Sequence, residues 1–196
     1  FSSNEVQVLL PTASAQICDS AGNLHTVRVL LDSGSQSNFV LSSLCKRLNL
    51  QITPANITVT GLSKVTSHIR SRCDIELHAH HSQFKIKLSC LLLDEIIGST
   101  PSFHVNRNNY KIPDNIRLSD PSFNEPGVID LLIGSPVFWE LLCIGQIRIG
   151  PNLPILQKTR FGWIVSGPNS DNSINNVQCN FSCIKEVPDQ LARFWE

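Results

Sequence analysis

The chain has 196 residues, 41% of them apolar, and its 16 Lys and Arg balance 16 Asp and Glu. That apolar content builds a core and excludes a disordered chain. Zero net charge with no basic stripe speaks against a nucleic-acid partner, and no apolar run nears the roughly 20 residues of a membrane span. The length suits one domain with a tail. The chain opens on Phe1, contains no Met and shows no signal peptide, as expected of a segment of a longer product.

In chain order, Val6 to Leu10 is a short apolar run ending at Pro11. Ala15 to Cys18 is extended, Asp19 to Asn23 is a turn, and His25 to Leu31 alternates with Val27, Val29 and Leu31 on one face. The two runs predict a hairpin that feeds into Asp32-Ser33-Gly34. After Asn38-Phe39-Val40 comes a short helix, with Leu41, Leu44, Cys45 and Leu48 at helical spacing, a cap at Ser42 or Ser43, and Pro54 closing the region.

Ile57 to Thr60 is β-rich and meets Gly61. Thr66 to Leu77 is a strand with Cys73, Ile75 and Leu77 on one face. Phe84 to Leu92 alternates most clearly, with Phe84, Ile86, Leu88, Cys90 and Leu92 on one face and His78 to Ser82 as the hairpin tip before it. Residues 98–127 are polar, rich in Asn and Pro, and read as a long loop. Ile129 to Ile133 is a buried strand, and Ser135-Pro136 starts a helix over Val137 to Leu142, with Ser135 as cap. Ile147 to Ile149 and Phe161 to Val165 are closing strands. The domain is expected over 1–168, with 169–196 as a polar linker and the start of a following segment.

The seven cysteines are odd in number and scattered, several of them inside apolar runs. This favours a reducing, intracellular setting over a disulfide framework. The sequons at Asn56 and Asn180 carry no weight without a secretion signal.

Hydrolysing a peptide without a metal or a covalent intermediate needs a base to activate water and an acid to protonate the leaving nitrogen. Two adjacent carboxyls can do both, because like charges that close cannot both ionise and share one proton. Such a site needs Asp on a tight loop, a small hydroxyl residue beside it, and Gly where backbones approach closely. Asp32, Ser33, Gly34 and Ser35 provide this after an apolar strand, and roughly 100 residues later Ile129-Asp130-Leu131-Leu132-Ile133-Gly134 precedes a helix.

Those pieces together resemble the retropepsin-like aspartic proteases. Asp130 to Ser135, Lys158 to Gly167 and Leu191 to Glu196 are more specifically similar to the Pao/BEL group of LTR retrotransposon polyproteins. The resemblance covers about residues 5–168. It implies a mainly β fold, a closed β-barrel half-domain with one or two short helices, in which Leu132, Ile133 and Gly134 support the catalytic loop from beneath. It also implies a flap over the substrate, placed at Val59 to Ser63 with Thr60, Gly61 and Leu62 as the binding residues. The activity would be that of an aspartic endopeptidase that processes its own polyprotein and needs no cofactor. Only one Asp-Ser-Gly is present, so a complete dyad requires a homodimer with one Asp32 from each subunit.

The rival from another class is a domesticated, non-catalytic dimerisation or peptide-binding module with the same fold. Other residues read more blandly. Ser33 lacks a Gly-x-Ser-x-Gly frame. His78, His80 and His81 fit a hairpin tip better than a metal site, and the Cys179/Cys183 pair has no second pair to complete a metal site. Asp130 reads as a structural residue at a strand start, and Trp163 as packing.

Overall fold

A computed structural model describes residues 6–60 and 66–173. The fold is mainly β. Its strands are β1 (Val6–Leu9), β2 (Thr12–Cys18), β3 (Leu24–Leu31), β4 (Asn38–Leu41), β5 (Ile52–Thr60), β6 (Thr66–His78), β7 (Lys85–Leu93), β8 (Leu131–Ile133), β9 (Leu142–Arg148), β10 (Ile155–Thr159) and β11 (Gly162–Ser173). Two short helices, α1 (Ser42–Arg47) and α2 (Ser135–Leu141), follow β4 and β8. No helix among the described residues is long and apolar enough to cross a membrane.

The larger sheet has seven strands in the order β2-β3-β8-β4-β7-β6-β5. Pairing of Gln16 with His78 and Ile17 with Leu77 joins β2 to β6 and closes six of these strands into a ring. The β2–β3 turn is held by Asp19, whose Oδ1 accepts from the amides of Ala21 and Asn23. A hydrogen bond from His25, then those from Asn23, hold the Asp19 carboxyl well below its usual range. Strand β8 lies between β3, to which it runs parallel, and β4, to which it runs antiparallel. It is buried at all three residues, which is why it reads as a continuous apolar run and not as an alternation.

The smaller sheet has the order β1-β11-β10-β9. Neighbouring residues on a strand face opposite ways, and here both faces are covered. Ile164 belongs to the main core with Phe161 and Leu141, whereas Val165 joins a second cluster with Leu156, Leu9, Val105, Tyr110, Leu118 and Phe123.

The 98–127 segment carries little regular structure, a 3₁₀ turn at Arg107–Asn109 and two isolated bridges, as a loop reading expects. It is nonetheless a packed layer, because it supplies Val105, Tyr110, Leu118 and Phe123 to the second cluster. Arg28 on β3 clamps it. The guanidinium donates from Nε to Asp120 Oδ2 at 2.7 Å, from Nη1 to the carbonyls of Thr100 and Glu125, and from Nη2 to that of Ser122. Asp120 Oδ2 also accepts from Thr12 Oγ1, so this nearly buried pair has most of its polar atoms satisfied.

Several local expectations are corrected. The N-cap of α1 is Leu41, without a side-chain cap, because the Ser42 hydroxyl donates to the Leu93 carbonyl instead. The N-cap of α2 is Gly134, with Ser135 and Pro136 inside the first turn. Pro54 does not close its region. It lies within β5 beside a register shift, on a strand paired only with β6, where a missing amide is tolerated. Strand β10 has no counterpart in the sequence pattern, and β11 continues past Gly167-Pro168 to Ser173 by pairing with β1, where the sequence reads as linker. Strand β7 alternates up to Cys90, after which Leu91 and Leu93 are buried and Leu92 is half-buried, because β4 joins along Cys90 to Leu93.

All five described cysteines are free. Cys73 and Cys90 face each other across β6 and β7, and the Cys45 thiol from α1 hydrogen-bonds Cys73. That hydrogen bond and burial push the Cys45 thiol up, and burial pushes Cys90 up, so both behave as small apolar groups.

Candidate active site

Strand β3 ends at Leu31 and delivers Asp32 onto a loop anchored at two points, one at the end of β8 and one at the start of α2. The Asp32 amide donates to the Ile133 carbonyl at 2.9 Å, and the Ser135 amide donates to the Ser35 carbonyl at 2.7 Å. The loop then returns along the other edge of β8 as β4, with Phe39 opposite Leu132. Within the loop the Gly34 amide donates to Asp32 Oδ1 at 2.9 Å, and the Ser35 amide reaches the Asp32 carbonyl at 3.4 Å. Asp32 is half-buried, and its second carboxylate oxygen has no hydrogen-bond or ion-pair partner among the described residues. Ser33 is exposed beside it.

Gly134 is required by space and not by backbone angle, since its φ of −88° is open to any residue. A methyl group there would stand 2.6 Å from the Ser35 carbonyl oxygen and would collide with that of Ser37. Buried Asn38 completes the support: its Oδ1 accepts from the Gly134 amide at 2.9 Å and its Nδ2 donates to the Ser89 carbonyl. Sequence reasoning missed Asn38. Its signal is a polar residue at the start of an otherwise apolar strand that must be buried at every position.

Gly34, Ser35 and Phe39 line a cavity of about 500 Å³ together with Ile57, Val59 and Thr60 of β5. Leu132 also lines it, whereas Asp32 is outside the lining, two residues from its edge at Gly34. Strand β5, paired with β6 up to Thr60 opposite Thr66, therefore shares this cavity with the Asp-Ser-Gly loop. Of the expected flap residues, Thr60 lines the cavity, while Gly61 and Leu62 lie outside the described residues, as do Cys179 and Cys183.

Asp130 is placed elsewhere. Its Oδ2 accepts from the Arg28 amide at 2.9 Å, Arg47 lies 3.9 Å from Oδ1, and it lines a separate cavity with Ser14 and His80. Burial pushes its carboxyl up, against the Arg28 amide and Arg47, which lower it. His78 is bound to Glu76 and His80 to Ser14, so the histidines are engaged separately. Among the described residues no three His, Cys, Asp or Glu side chains could hold a metal ion together. Trp163 is half-buried against the second cluster.

No known family model matches the chain, and neither does any curated protein.

The site's geometry makes two outcomes testable. Gly134→Ala should destabilise the fold by about 1–3 kcal/mol through overpacking, read by urea denaturation, and an unchanged midpoint would remove the supporting role. The native Asp130 holds a proton more readily than the unfolded chain does, so its contribution to stability is present at low pH and is lost as pH rises through its native titration. Asp130→Asn should therefore gain stability over the parent at pH 7, with the gain fading towards pH 3, and the opposite trend would refute this account.

Proposed function

We propose that the chain is an aspartic endopeptidase with a retropepsin-like fold, acting as a homodimer in which each subunit contributes one Asp32. The observation that carries this reading is the Asp32 carboxylate itself. It is half-buried, keeps one oxygen unpartnered among the described residues, and stands on a loop fixed at Ile133 and Ser135 beside a cavity that β5 also lines.

Across a two-fold axis the pair of carboxyls would hold one proton between them. The ionised member takes a proton from the attacking water while the protonated member donates to the departing nitrogen, so the two exchange roles over the cycle. The ring closed by β2 and β6 would be one half of such a dimer's closed barrel. The hairpin would grip an extended peptide by backbone pairing and exclude solvent. The polyprotein that carries the domain would be its substrate, in an intracellular setting and without a cofactor.

The second copy would pack against α2 and β9. Strand β9 is an edge strand that carries exposed Ile144, and α2 before it carries exposed Trp139. A second reading, a peptide-binding module without turnover, draws on the fact that the cavity lining stops at Gly34 and does not include Asp32.

Asp32→Asn should lower peptide cleavage by at least about 100-fold while leaving the melting temperature in place, and undiminished cleavage would refute the assignment. Specific activity should also fall on dilution, as dimers dissociate, and should return on concentration. A parent chain that folds but cleaves no peptide at any concentration favours the binding module.

A further inference from the structure

Away from the Asp32 loop, Lys158 and Trp163 are cross-strand partners on β10 and β11. They border a cavity of about 530 Å³ whose wall also includes Arg117, Arg160, His81 and Phe161. Among the described residues no Asp or Glu is in its lining, although the chain as a whole is neutral. Arg117, Lys158 and Arg160 form no ion pair among the described residues. Three uncompensated cations around one concavity concentrate positive potential there, because low-dielectric walls focus the field.

The framework around them is fixed. The Arg160 Nε donates to the Glu140 carbonyl at 2.9 Å, and its guanidinium lies 5.3 Å from the centre of the Phe84 ring. Arg117 is carried by a backbone segment tied to β11 on both sides of Leu118, through Trp163 N to Arg117 O at 3.2 Å and Ser119 N to Trp163 O at 2.7 Å. Gly162, at φ +124°, allows that approach: a side chain there would stand 3.3 Å from the Ser119 amide nitrogen. The cations are thus mounted on paired backbone, and Arg160 keeps its terminal amino groups for a ligand.

We propose that this cavity binds a small phosphate-bearing ligand, with the phosphate oxygens received by Arg117, Lys158 and Arg160. Phosphate chains match the chemistry because guanidinium and ammonium groups form short, charge-assisted hydrogen bonds to them. The volume lies within the range of ligand pockets and admits a group the size of a nucleotide. Trp163 gives a ring of such a ligand an aromatic neighbour.

The test is calorimetric titration of the purified chain with tripolyphosphate and, separately, with ATP in low-salt buffer. Saturable binding is expected. Affinity should fall by roughly tenfold or more in Arg117→Gln and further in Arg117→Glu/Lys158→Glu, since each lost contact is charge-assisted. Both positions are exposed, and unchanged melting temperatures will show that these variants fold. Binding by ATP no tighter than by tripolyphosphate would assign recognition to the phosphates, and tighter binding would add the ring. Asp32→Asn should bind like the parent, which separates this site from the proposed protease. Absence of saturable binding by either probe, or affinity unchanged by the double charge reversal, overturns the proposal.

Discussion

The architecture turns on three buried residues, Leu131 to Ile133, wedged between β3 and β4. A strand with neighbours on both sides and cover on both faces has no freedom of register. Its carbonyl at Ile133 and the nearby amide of Ser135 therefore become fixed points. Both hold the loop bearing Asp32, so the carboxylate's position is inherited from the core and not from the loop's own stiffness. Gly134 is where the strand passes closest beneath the loop, and Asn38 ties that point back to β7. A polar loop on a rigid apolar floor is a common way to place chemistry precisely.

A second constraint holds the outer layer. The four-stranded sheet needs cover on the face that carries Leu156 and Val165, and 98–127 supplies it with scattered apolar residues and almost no regular structure. Such a layer has few backbone ladders of its own. The Arg28–Asp120 pair and the carbonyls around it take their place, and Arg28 bonds to three separate carbonyls of that segment. The same strand, β3, thus carries the outer clamp at Arg28 and leads into the Asp32 loop at its end, which links the two layers covalently.

How much was legible in the sequence depends on which signals are local. Half-buried strands alternate, so β3, β6 and β7 are visible as strands in the residues alone. The fully buried β8 is visible as an apolar run closed by Gly, and the single Asp-Ser-Gly stands out because it comes directly after an apolar strand. The caps at Ser42 and Ser135 are not legible in the residues, because a hydroxyl near a helix start has other partners, here the Leu93 carbonyl for Ser42. Strand β10 is short, begins just after Pro154, and is recruited by its neighbours β9 and β11. The extension of β11 over Asn169 to Ser173 has polar composition and exists through β1, a pairing of distant segments that no local pattern encodes. Asn38 and the packing of 98–127 were invisible for the same reason: each depends on long-range contacts.

The position of Asp130 bears on how a carboxyl pair could be assembled. Strands β3 and β8 run parallel, with Val29 beside Leu131 and Leu31 beside Ile133. Asp130 precedes β8 and is bonded to the backbone of Arg28, whereas Asp32 comes after β3. Along an extended strand the interval from Arg28 to Asp32 is about 13 Å. Two carboxyls share a proton only within a few ångströms, so Asp130 cannot complete a pair with Asp32 inside one chain. Among the described residues no Asp or Glu lines the cavity beside the Asp32 loop either. The dimer proposed above would instead bring in its second acid from another copy of the chain, which offers the same Asp32 loop by symmetry.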